Sequence, residues 1–260
     1  MSLLRSVLFL VYLVVTVIPW AIFALLFSVV RGGAPLYWVC AGWLKAAILG
    51  ARWICGVRWR VQGMEHLPTA AEAQAAVILC PKHQSTWETF ALPMLMPHPL
   101  AFVFKRELLR IPFFGWAMAR LDMVHIDRTR RAEAWARVLK QGGELMQRGI
   151  WLIMFPEGTR VGRGERGEYK TGATRLAVQT GVPVVPVAVT SARCWPRKSF
   201  LLRPGVIDVS IGRPIPSVGR RHDELMAEVE GWIEAEMVRL DPQAYPAATA
   251  TGTAPASRQA

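Results

Sequence analysis

Between Arg5 and Arg31 the chain runs for 25 residues, Ser6 to Val30, without a charge. At about 1.5 Å per residue, such a run makes a helix able to cross a hydrocarbon core of roughly 30 Å, so part of this chain is expected to meet lipid. Pro19 is a candidate kink within it. The run exceeds the apolar core of a signal peptide and no small-x-small cleavage site follows, which favours an uncleaved anchor. A second apolar stretch, Pro35 to Val57, mixes Lys45 and Arg52 with Trp38, Trp43 and Trp53, a combination suited to the headgroup boundary. Two arrangements are open: the first segment spans once, or both form a hairpin within one leaflet. Arg31, Lys45, Arg52, Arg58 and Arg60 follow the first segment, against Arg5 alone before it. That bias puts the remaining chain on the cytoplasmic side of an inner (cytoplasmic) membrane.

Charge narrows the function. The formal net charge of +12 rests on 31 Lys and Arg against 19 Asp and Glu. Nucleic acid, anionic lipid and phosphorylated substrates would each suit such a balance. The first 64 residues hold six of the cations, no acid and the most apolar sequence, which favours a membrane surface; zinc-finger spacing, an aromatic RNA-binding signature and long basic runs are all missing, so no nucleic-acid partner is expected. Cys40, Cys55, Cys80 and Cys194 lie far apart among apolar neighbours and read as small buried hydrophobes rather than as a disulfide framework. The five histidines are scattered, so no metal site is expected.

Beyond Val57 the pattern changes. Short β-rich runs at Val57–Gln62, Ala75–Cys80, Leu100–Phe104, Ile150–Phe155, Val184–Thr190 and Val206–Ile211 alternate with helical stretches near Ser85–Met96, Arg131–Arg148, Gly172–Thr180 and His222–Leu240. The alternation predicts one α/β domain, a sheet covered by helices, over 57–240, preceded by a two-helix membrane segment over 1–56. The Ala-, Thr- and Pro-rich tail 241–260 lacks an apolar face and reads as disordered.

Two segments carry candidate chemistry. In Leu79-Cys80-Pro81-Lys82-His83-Gln84-Ser85-Thr86-Trp87-Glu88, a histidine follows a strand end and a carboxylate lies five residues on. Continuous helix would set the two side chains about 140° apart, so they meet only if His83 sits in the loop ahead of the helix. Glu88 would then orient the imidazole and stabilise its protonated form. Ser85 to Glu88 is equally a capping box, with Ser85 as N-cap. The second segment, Phe155-Pro156-Glu157-Gly158-Thr159-Arg160, brings a carboxylate, a glycine, a hydroxyl and a guanidinium into one turn; the arginine fork suits a phosphate, and a plain strand-to-loop turn is the alternative.

In order and spacing these segments resemble the motifs of the glycerophospholipid acyltransferases, a family that includes bacterial 1-acylglycerol-3-phosphate acyltransferase. The family's His-x4-Asp motif reads His83 to Glu88, with glutamate for aspartate, and its Phe-Pro-Glu-Gly-Thr-Arg string is complete at Phe155 to Arg160. Lys105-Arg106-Glu107-Leu108 matches the Lys-x-Glu-Leu string. His125-Ile126-Asp127-Arg128 matches the end of Gly-x-x-x-Ile-Asp-Arg, with Asp122 at the glycine's place. Tyr169-Lys170-Thr171-Gly172 with Leu176-Ala177, and Val184 to Val187, look like two further family stretches; together the series covers roughly 57 to 215.

The resemblance implies an α/β mixed-sheet acyltransferase domain. It implies His83 as general base with Glu88 in the orienting carboxylate's place, Lys105, Arg128 and Arg160 as candidates to hold a substrate phosphate, and Glu157, Gly158 and Thr159 shaping the acceptor site. No cofactor is implied; acyl-CoA or acyl-carrier protein is the donor and lysophosphatidic acid the acceptor. Glycerol 3-phosphate, another lysophospholipid or a lyso-aminolipid are alternative acceptors. A non-catalytic membrane protein that binds anionic lipid is the alternative from another class.

Overall fold

The computed structural model describes residues 1–69, 75–127 and 129–245. Two long helices open the chain, α1 (Ser2–Val30) and α2 (Gly33–Cys55). Gly56, at φ 73, takes the left-handed position that ends α2, its N–H returning to the Ala51 and Arg52 carbonyls, and the chain enters β1 (Val57–Gln62) at once. Then follow β2 (Ile78–Pro81), α3 (Trp87–Leu95), β3 (Leu100–Lys105), α4 (Phe114–Met118), β4 (Val124–Ile126), α5 (Arg131–Gln147), β5 (Trp151–Ile153), α6 (Gly172–Thr180), β6 (Val184–Val189), β7 (Gly205–Ile211) and α7 (His222–Leu240).

The seven strands form one sheet in the order β1-β7-β6-β2-β5-β3-β4. Every neighbouring pair is parallel except β6 with β7, so the mixed sheet expected from the sequence is present. Parallel neighbours need crossover connections, and α3, α5 and α6 supply them. The central strands β2, β5 and β6 are buried throughout, hence their unbroken apolar runs without period-two alternation.

Several element bounds differ from the sequence expectation. β4 and α4 span three and five residues, too short to carry a period. The helix expected from Ser85 begins at Trp87, because the Ser85 hydroxyl accepts the Trp87 N–H at 2.8 Å and keeps the preceding loop off the helical path. Residues 241–245, expected to start a disordered tail, are packed instead: Asp241 takes a bidentate pair from Arg163 (2.7 and 2.8 Å), and the Tyr245 hydroxyl accepts from Gln84 Nε2 at 2.5 Å. The rest of that tail lies outside the described residues.

The N-terminal pair is asymmetric. α2 joins the main core: Ala47, Ile48 and Ala51 are fully buried, and the Tyr37 hydroxyl donates to the Pro93 carbonyl of α3 at 3.1 Å. α1 rests on α2 through Tyr12 (hydroxyl to the Ala46 carbonyl, 3.1 Å) and through Trp43, whose indole donates to Thr16 Oγ1 at 3.1 Å. Its other face, including Leu3, Leu4, Leu8, Val15, Phe23 and Leu26, is exposed, an apolar surface without parallel on an ordinary soluble domain. By length and composition both helices could cross a membrane.

Candidate active site

The C-terminal ends of β2, β5, β3 and β4 lie side by side at one edge of the sheet, where open α/β folds gather ligands. His83 follows β2, the Phe155–Arg160 turn follows β5, and Lys105 ends β3. Arg128, which follows β4, lies outside the described residues.

His83 is held from three sides. Its ring stacks on Phe155 with centroids 3.8 Å apart. Its backbone N–H donates to Glu157 Oε2 at 2.9 Å, and its carbonyl accepts the Val161 N–H at 2.9 Å. The side chain is 12% exposed, and Nδ1 stands 3.9 Å from Glu88 Oε2. The chain turns between the two residues, as a meeting of these side chains requires.

Glu88 is fully buried. Its Oε1 accepts the Gln84 N–H at 2.9 Å and the Ser191 hydroxyl, while both oxygens accept the Ser85 N–H at 3.0 and 3.1 Å. The backbone bonds are those of a capping glutamate reaching back across a helix start, yet the same carboxylate faces His83. Capping and proximity to the imidazole therefore coexist in one residue. Burial pushes the Glu88 carboxyl up to about 7, against the opposing pull of the Ser191 and backbone hydrogen bonds.

Glu157 works from beneath. Its carboxylate accepts Lys82 Nζ at 2.7 Å, the His83 N–H at 2.9 Å and the Gly167 N–H at 3.3 Å, tying the turn after β5 to the loop after β2. Burial raises its pKa, opposed chiefly by the Lys82 charge. Lys82, which the sequence reading left as a neighbour of the histidine, is fully buried and also binds Glu234 Oε1 of α7 at 2.7 Å. The Tyr169 hydroxyl donates to the same Glu234 oxygen at 2.7 Å. Lys82, Glu234, Ser191 and Tyr245 were all missed, because their partners lie 65 to 161 residues away and no local pattern marks them. A lysine directly after a wholly apolar strand was the single available signal.

Two cavities flank these turns. The first, about 320 Å³, is apolar and lined from α1, α2, α3 and α4 by residues such as Ala24, Leu44, Phe90 and Met118, with Phe102 and Phe104 of β3 as its floor. Thr86, Thr89 and Arg160 bring polar groups to it. Arg160 is half-buried, and its Nε lacks a hydrogen-bond partner among the described residues, an uncompensated donor on a guanidinium well suited to an anion. The second cavity, about 740 Å³, opens beside His83 and Gly158 and is lined by Val103, Trp135, Glu168 and Lys170. Since Val103 alternates with Phe102 and Phe104 along β3, the cavities lie on opposite faces of the sheet.

Of the predicted site residues, His83, Glu88, Glu157 and Gly158 converge, Gly158 adopting φ +65 to make the turn. Thr159 is exposed, and Lys105 is exposed at the neighbouring strand end without a hydrogen bond to that group. Asp122, at the place of a family glycine, forms a two-pronged pair with Arg148 at 3.2 and 2.9 Å. Among the described residues no group of three or more His, Cys, Asp or Glu could hold a metal ion.

A helix-wrapped mixed sheet with a His-carboxylate pair at its strand edge, beside an apolar cavity and an apolar helix pair, defines a lipid-directed α/β transferase in architecture. The acyltransferase family model matches residues 58–190. The 1-acyl-sn-glycerol-3-phosphate acyltransferase of Pseudomonas aeruginosa is 36% identical over 243 residues, 92% of each chain. The human 1-acyl-sn-glycerol-3-phosphate acyltransferase alpha is 29% identical over 71% of this chain and 64% of its own length. The crystal structure of the 1-acyl-sn-glycerophosphate acyltransferase PlsC from Thermotoga maritima superposes with a TM-score of 0.75 at 25% identity, covering 93% of this chain and 98% of the other. The chain belongs to the acyltransferase family.

Proposed function

We propose that this chain transfers a fatty acyl group from acyl-CoA or acyl-carrier protein to the sn-2 hydroxyl of lysophosphatidic acid, giving phosphatidic acid at the membrane surface. The observation that carries the reading is the imidazole of His83, 3.9 Å from a fully buried carboxylate at the strand edge between the two cavities. In the reaction, His83 takes the proton of the acceptor hydroxyl while its oxygen attacks the thioester carbonyl carbon. The C–O bond forms, the C–S bond breaks, and the proton passes from the imidazolium to the departing thiolate. Glu88, ionised, stabilises that imidazolium. Such general-base work contributes on the order of 10² to 10⁴-fold, with positioning and charge stabilisation adding to it.

A fatty chain fits the apolar cavity, and Arg160 at its polar end, with Lys105 and Arg128 from the neighbouring strand ends, suits the acceptor phosphate. The second cavity, with Trp135 and Lys170, suits the amide-bearing pantetheine arm that both donors share. Glu157 and Gly158 hold the turn between them, and Thr159 lies at its rim.

The helix pair serves as the membrane attachment. The Leu202 N–H donates to Ser6 Oγ at 2.9 Å near the start of α1, while Leu108, Phe114 and Leu121 share the apolar cavity with Val17 and Ala24. The α/β domain thus accompanies α1 along most of its roughly 43 Å, leaving lipid one side of the helix only. Exposed Leu108, Ile111, Trp116, Phe200 and Leu201 extend that apolar face beyond the helix. This one-sided packing supports a pair that lies in one leaflet, and the cations that follow α1 support a domain on the cytoplasmic side.

The test is an acceptor panel on purified protein. Phosphatidic acid forms from lysophosphatidic acid and an acyl thioester, and His83→Ala lowers turnover on the order of 10²-fold or more. Turnover restricted to glycerol 3-phosphate or another lysolipid reassigns the acceptor; none with any lysolipid overturns the enzymatic reading in favour of anionic-lipid binding alone.

A further inference from the structure

Glu88 replaces the aspartate of the family motif, and its longer side chain has one more rotatable bond to fix. Its local partners, the Gln84 and Ser85 N–H groups, belong to the same loop and would accompany any capping carboxylate. Among the described residues, the one side-chain donor from elsewhere is Ser191, at the turn after β6, 103 residues on and wholly buried. The two carboxylate oxygens divide their partners. Oε1 takes Ser191 and Gln84, the Ser85 N–H is shared by both oxygens, and Oε2 faces His83 Nδ1 at 3.9 Å. The same turn reaches the loop again through the Ala192 N–H, which donates to Gln84 Oε1 at 3.4 Å.

Resting on the reading of His83 as base, we propose that Ser191 is a positioning residue for the reaction: its hydroxyl anchors Glu88 Oε1 and so turns Oε2 toward the imidazole. Ser191 touches neither substrate nor reacting atom; it acts through Glu88 alone. The charged and titratable groups of the surrounding elements are engaged elsewhere. Lys82 pairs with Glu157 and Glu234, Arg193 of the same turn pairs with Asp208 and Asp241, and the Tyr37 hydroxyl of α2 binds the Pro93 carbonyl. Arg160 lines the apolar cavity. Among the described residues His83 is thus the titratable group facing Glu88, and the Ser191 hydroxyl is its neutral anchor. A hydrogen bond to the ionised carboxylate favours that form, so its removal moves ionisation to higher pH.

The experiment compares wild type, Ser191→Ala, Glu88→Gln and the double variant in kcat, both KM values, the pH profile of kcat and melting temperature. Ser191→Ala is expected to lower kcat about tenfold, as for one hydrogen bond to a charged group, with both KM values near wild type. The acid limb of its pH profile moves up by roughly one unit. In the Glu88→Gln background the substitution costs little more, because the two act as one unit. A wild-type acid limb in Ser191→Ala, or an equal tenfold loss in both backgrounds, overturns the assignment. Should Ser191→Ala not fold, Ser191→Cys fills the same space with a poor donor, and an unmoved acid limb again overturns it. His83→Ala, run alongside, separates the two failures: full turnover there removes the base itself, whereas its inactivity beside an unaffected Ser191→Ala removes only the role of Ser191.

Discussion

At Glu88 one carboxylate closes a helix start and faces an imidazole, and the two tasks have different pH signatures. Its folded pKa, about 7, lies above the ordinary 4.5, so between those values the folded chain binds more protons than the unfolded one. Stability from this group is therefore lost as pH rises through that window and is constant above it. The melting-temperature difference between wild type and Glu88→Gln should accordingly shrink as pH rises from about 4.5 to about 7. Over the same window kcat should rise in the wild type, as Glu88 ionises to support the imidazolium. A flat kcat profile with a sloping stability difference would assign Glu88 to capping alone. Arg160 offers a second residue-scale prediction. Arg160→Ala should lower kcat/KM for lysophosphatidic acid roughly 10- to 100-fold, the loss of hydrogen bonds to a charged group, and leave a phosphate-free acceptor unaffected. Equal losses on both acceptors would remove it from phosphate binding.

Among the elements, the buried Lys82 joins three of them: the loop after β2 that carries it, the turn after β5 through Glu157, and α7 through Glu234. Lys82→Met removes the cation and leaves two carboxylates together in the interior. The expected cost is about 3–5 kcal/mol, read as a lowered midpoint in denaturant titration. A loss under about 1 kcal/mol would mean that water or neighbouring donors satisfy both acids. The helix pair depends on a close approach of a different kind. A Cβ on Gly50 of α2 would come within 2.5 Å of the Tyr12 ring of α1. Gly50→Val should therefore separate the helices, at a cost of about 1–3 kcal/mol, while leaving the sheet intact by far-ultraviolet circular dichroism.

For the whole molecule, one-sided contact between α1 and the α/β domain makes a topological prediction. Ser2 and Arg31, exposed at opposite ends of the helix, should become reactive to a membrane-impermeant thiol reagent from the same side when each is replaced by cysteine in turn. Labelling from opposite sides would establish a single span. This attachment also orders the site, because α1 and α2 line one side of the apolar cavity and the strand edge lines the other.

The sequence by itself determined the apolar helix pair, the alternation that makes a helix-covered sheet, and the two strand-end loops bearing His83 and Glu157. These are local or periodic signals, written within a few residues or turns of where they act. It could not distinguish a capping Glu88 from one that faces His83, since the same glutamate stands three residues after Ser85 and five after His83. Nor could it find β4, Lys82, Ser191, Glu234 or Tyr245. A three-residue strand has no measurable period, and a buried polar side chain is tolerated only where partners from distant segments meet it. Those meetings were decided by the tertiary structure, in which the parallel crossovers bring the ends of β2, β5 and β6 to one edge and α7 packs on β6 with Glu234 reaching Lys82. A buried charge or hydroxyl is stable there because its partners are held in reach by packing, and packing is a property of the whole fold.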